Sequence, residues 1–117
     1  MILQAKLMNI GSVPAEMFLG SAASSGSVTW NYDAKIVLAT IINNSYNHVI
    51  IFDLSSSNYR HWVTRNNYNS NNWMLNTTPA TNGFPYTCTS KSITITIPSG
   101  STCNMIIPLD ADFPESI

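Results

Sequence analysis

Charge is what this chain has least of. Lys, Arg, Asp and Glu make up 9% of its 117 residues, where an ordinary soluble domain carries about 25%. The five cations, Lys6, Lys35, Arg60, Arg65 and Lys91, are scattered, and the formal net charge is -1. That argues against nucleic acid as a partner, because phosphate binding rests on clustered Lys and Arg. Cysteine is scarcer still. Cys88 and Cys103 are the only two; one pair does not make a disulfide-dependent scaffold, and two free thiols are expected. With His48 and His61 isolated from each other, no zinc site is expected either. Long apolar runs are missing. Residues 35–42 form the longest apolar-rich stretch, and it contains a Lys and a Thr, well short of the ~20 apolar residues of a membrane-spanning helix. Membrane insertion is not expected. The first eight residues lack a basic opening followed by an apolar block, so no secretion leader is expected there.

Catalytic patterns are also lacking. There is no Gly-x-Ser-x-Gly, and neither histidine stands in a recognisable relation to an acid. Asp110 and Asp112 could point the same way in an extended segment, yet the twelve-residue calcium loop is not present around them. They read as a solvated tail. The sequence is expected to be neither an enzyme nor the holder of a metal or cofactor.

In place of charge stand Asn, Ser and Thr, which fill roughly a third of the positions. The surface must therefore be built of amides and hydroxyls, which neither titrate nor are screened by salt. Helical periodicity is hard to find, while short β-type runs recur between turn residues at sandwich-like spacings. Strands are predicted near 2–8, 15–19, 27–32, 35–42, 48–54, 59–65, 73–76, 86–89, 92–97 and 103–109. The cleanest is Ser-Ile-Thr-Ile-Thr-Ile, with Ile93, Ile95 and Ile97 on one face and Thr94 and Thr96 on the other. The runs 35–42 and 48–54 are apolar on both faces and are joined by a polar turn at 43–47, as in a central hairpin. Such strands are either covered on each side or meet another subunit. A hairpin between 92–97 and 103–109 would place Cys103 opposite Thr96. The segment 20–26 is read as a flexible loop. The fold class is all-β: one domain over 1–117, an antiparallel β-sandwich or jelly roll of about eight to ten strands with almost no helix. Its core is expected to draw on Ile36, Leu38, Val49, Ile51, Phe52, Val63, Ile93, Ile95 and Ile97.

The aromatics carry the functional signal. Tyr59, Trp62, Tyr68, Trp73, Phe84 and Tyr86 are interleaved with Asn, Ser and Thr, the densest Asn runs being 66–72 and 76–83. A sugar site pairs a flat ring with the C–H face of a pyranose and uses amides for its hydroxyls. The candidate ligand-binding residues are Tyr68, Asn69, Asn71, Asn72, Trp73, Asn82, Phe84 and Tyr86. Trp62, inside a strand, is read as core, and His61 as a packed or surface residue.

Depleted charge, short strands throughout and Asn-rich, aromatic-bearing loops at 66–72 and 76–84 resemble the distal modules of bacteriophage tail fibres and related virion β-structures. The resemblance implies a virion structural module, a homo-oligomer and most simply a trimer, in contact with other virion proteins. It also implies binding to a host surface glycan or receptor through loops. Location in the virion follows from the same likeness. A free, extracellular, lectin-like carbohydrate-binding domain is the alternative.

Overall fold

The computed structural model describes residues 18–19, 24–43, 46–55, 60–65, 73–77, 84–98 and 100–117. Among these, nine strands form: β1 (Phe18–Leu19), β2 (Ser24–Thr29), β3 (Ile36–Asn43), β4 (Tyr46–Asp53), β5 (His61–Arg65), β6 (Met74–Asn76), β7 (Tyr86–Thr89), β8 (Ser92–Ile97) and β9 (Ser101–Leu109). No described residue is helical. The strands make two antiparallel sheets, one ordered β1-β9-β3-β4-β5-β6 and the other β2-β8-β7. The all-β class and the strand count agree with the sequence reading. The predicted strand at 2–8 lies outside the described residues.

The two sheets face each other across one core. Ile93, Ile95 and Ile97 of β8, with Val28 of β2 and Tyr86 of β7, pack against Val37, Ala39 and Ile41 of β3, Ile50 and Phe52 of β4, Val63 of β5, and Cys103 and Ile106 of β9. Alternation along each strand fixes this face. In the β3–β4 pair, Val37, Ala39 and Ile41 stand opposite Phe52, Ile50 and His48, and all turn inward. In β9 a bulge at Asn104 moves the register, since Thr40 pairs with Met105 but Ile41 with Cys103. The extra residue keeps both Ile106 and Cys103 on the core side.

Two expectations are corrected here. Val49 is 37% exposed and Leu38 only partly buried; both belong to the outer face of the larger sheet, while Val37, Ala39, Ile41 and Ile50 fill the core instead. With apolar residues on both faces, composition gave no means of choosing the inner one. The second correction concerns the hairpin of 92–97 with 103–109, which does not form. β8 lies between β2 and β7, and β9 between β1 and β3. Gly100, at φ +77°, allows the turn that carries the chain from one sheet to the other, and Ser101 N donates to Pro98 O at 3.2 Å. Stacking the two strands in facing sheets lets each bury its apolar face against the other. Cys103 therefore sits opposite Phe18 and Ile41, and Cys88 opposite Ile93, with both thiols free. The segment read as a loop at 20–26 already enters β2 at Ser24, and Gly26 pairs with Ile95.

Candidate functional site

The sandwich has two outward faces, and they differ chemically. On the three-stranded sheet the register aligns Ser27, Thr94 and Thr87 in one row, and Thr29, Ser92 and Thr89 in the next. Ser27 Oγ and Thr94 Oγ1 lie 2.8 Å apart, as do Thr89 Oγ1 and Ser92 Oγ. Cross-strand hydroxyl pairs of this kind stabilise a sheet while remaining at ease in water. This is a solvated face.

The outer face of the six-stranded sheet is largely apolar. Its central row runs across five strands as Ile107, Leu38, Ile51, Trp62 and Leu75. The next row continues with Met105, Thr40, Val49 and Thr64, and beyond it lie Thr102, Ile42 and Asn47. None of these side chains is charged. Ile42 and Val49 are each 37% exposed and Leu75 42%, so the face is open to solvent over much of its extent. Its β9–β3–β4 half is mainly aliphatic, with Thr40, Thr102 and Asn47 among the aliphatic side chains. On the β5–β6 half, Trp62 and Trp73 are both partly buried against the same cluster.

One end of the face is covered by the chain itself. After β9, residues 110–117 cross the sheet as a strap. Ala111 and Phe113 bury themselves against Ile36, Ile51 and Leu109. Pro114 O accepts the indole N–H of Trp62 at 2.8 Å. Ion pairs gather here. Lys35 Nζ lies 3.3 Å from Asp112 and 4.0 Å from Asp110. Arg60 reaches the fully buried Asp53 at 2.6 Å and Glu115 at 3.6 Å, with its guanidinium 4.4 Å from the Phe113 ring centroid. Asp110 and Asp112, read from sequence as a solvated tail, keep exposed side chains, 39% and 93%, beside Lys35.

The predicted ligand residues fall in three groups. Tyr68, Asn69, Asn71, Asn72 and Asn82 lie outside the described residues. Trp73 stands at the edge of the outer face. Phe84 and Tyr86 are core residues, 3% and 5% exposed, and this corrects their reading as exposed rings. Phe84 meets His48 edge-on at 5.1 Å, and Tyr86 meets Phe52 at 4.8 Å. The Tyr86 hydroxyl donates toward Asp53 O at 2.7 Å and Arg60 O at 3.0 Å, pinning the β4–β5 connection. Burial raises its pKa well above the ordinary 10.0. Trp62, read as core, is the ring that the structure adds to the outer face. His61 is fully buried and its Nε2 accepts the Phe84 N–H at 3.3 Å, so it is a packed histidine.

Burial pushes the Cys103 thiol up to about 11, and burial together with the Asp53 charge raises that of Cys88; neither is primed as a nucleophile. Among the described residues no group of three or more metal-ligating side chains gathers. No family model matches the sequence, and no curated protein or solved structure is similar enough to carry an inference.

Proposed function

We propose that this domain is a virion-type structural module that self-associates and attaches to an uncharged surface partner, most simply a host glycan. One observation carries the reading: beyond the strap, the outer face of the six-stranded sheet is partly exposed, largely apolar and free of charge among the described residues. Monomers rarely leave contiguous apolar patches exposed unless something binds there. The hydroxyl face opposite shows that this chain can furnish a fully polar sheet surface. Its aliphatic half, around Leu38, Ile42 and Val49, suits packing against further copies, and a trimer is the expected assembly. A neutral partner suits a chain with so few ions to steer or repel it, and weak single sites gain strength from repetition on one assembly. Virion location and contact with other virion proteins belong to the same proposal.

The test is binding of the assembled domain to an array of neutral, sialylated and sulfated glycans, repeated at low and high salt. The reading expects neutral glycans to bind with little salt dependence. Binding confined to anionic glycans and abolished by salt would overturn it. A free lectin-like domain would show the same glycan profile as a monomer.

A further inference from the structure

We infer that the glycan site lies on the sheet itself, where Trp62 of β5 and Trp73 beside β6 offer ring faces to the C–H surface of a neutral pyranose. The inference rests on the glycan reading above and moves its site away from the loops. Trp62 stands directly opposite Leu75, and Trp73, just before β6, lies two positions from Leu75, so both indoles belong to the outer face. Side chains in such diagonal positions are within reach of each other when they are aromatic. Both are partly buried against one cluster, which holds the rings in place without hiding them.

The chemistry of Trp62 narrows the ligand. Its single polar group, the indole N–H, is already spent on Pro114 O at 2.8 Å. What remains for a partner is ring surface. Ring surface takes either a cation or an apolar face. A cationic ligand is disfavoured here, because the carboxylates at this end of the face, Asp53 and Glu115, are already paired with Arg60. Thr64, two positions along β5 from Trp62, adds a hydroxyl on the same face. A neutral sugar needs these two elements together, a flat apolar platform and hydroxyl-level hydrogen bonding. Trp30 supplies an internal reference. It packs against the other core cluster, with its own indole N–H donated to Ser90 O at 2.8 Å.

The experiment follows the three indole N–H signals by nitrogen–proton NMR during titration with maltotriose, cellotriose and tri-N-acetylchitotriose. The inference expects at least one of these sugars to shift the Trp62 and Trp73 signals saturably while Trp30 stays fixed. Trp73→Ala, at the sheet edge, and Thr64→Lys, which places a charge on the same face two positions from Trp62, should each weaken that sugar at least tenfold. Thr87→Lys, on the hydroxyl face, should change nothing. Binding that survives both outer-face variants would overturn this site and leave the glycan reading standing. If none of the three sugars shifts the indoles, this inference fails; the array decides the broader reading separately.

Discussion

Arg60 grips the buried carboxylate of Asp53 with two nitrogens, Nη2 at 2.6 Å and Nε at 2.8 Å from Oδ2. The other carboxylate oxygen accepts from both the N–H and the hydroxyl of Ser55, at 2.9 and 2.6 Å. Arg60 also lies over Phe113, so one side chain joins the β4–β5 connection to the strap. Removing it strands a buried charge. Arg60→Ala should cost about 2–3 kcal/mol, below the full range for buried pairs because the guanidinium is partly in water and Ser55 still serves Asp53. Urea unfolding checks this; a midpoint unchanged from wild type would refute the role given to the pair.

The strap should be a stability element in its own right. Phe113→Ala removes a ring packed on Ile36 and Ile51, and the expected loss is about 3 kcal/mol, the low end for a buried aromatic. Because the strap also holds the Trp62 N–H, tryptophan emission should shift to the red in the folded variant. An unaltered emission maximum would mean that the strap does not fix the indole.

Core and outer face should respond in opposite ways to truncation. Ile95→Ala empties a fully buried position between the sheets and should cost about 3 kcal/mol. Val49→Ala, on the open face, should change monomer stability by no more than about 0.5 kcal/mol. Thermal unfolding of the two variants side by side, at a concentration too low for association, makes the comparison. Equal losses would place Val49 in the core after all.

That contrast marks where the sequence was readable. The alternation in 92–97 identified both the strand and its buried face, because polar and apolar positions differ. In β3 and β4 they do not. Ile36, Leu38 and Val49 are as apolar as Val37, Ala39 and Ile50, so both strands were legible while their inner faces were not. The strap was invisible for another reason. Nothing local in residues 110–117 announces that Phe113 and Pro114 will meet residues some fifty positions earlier, the separation between Pro114 and Trp62 being 52. At the candidate site, the Asn-rich surroundings of Trp73 point to it, whereas Trp62, inside a strand, reads as core from sequence alone. Phe84 and Tyr86 show the converse: polar neighbours in sequence did not keep their rings in solvent.

Alkaline pH should weaken the fold. The Cys103 thiol ionises near its ordinary 9.0 in an unfolded chain and at about 11 in the core. The folded form therefore keeps its proton longer. Its stabilising effect is complete below pH 9 and declines as pH rises towards 11. Tyr86, also raised by burial, acts in the same direction. Urea midpoints should fall between pH 9 and 11, and at pH 8 a thiol reagent should modify Cys103 only after denaturation. Rapid labelling of native protein at Cys103 would contradict its place between the sheets.

The most direct test of the central claim, that the uncharged outer face is a working surface, is sedimentation equilibrium at micromolar concentration. Wild type should behave as an oligomer, with a trimer expected. Ile42→Lys combined with Val49→Lys, at two exposed positions of the aliphatic half, should remain folded by circular dichroism and sediment as a monomer. A wild-type chain that is already monomeric, or a doubly substituted chain that assembles unchanged, would contradict the account.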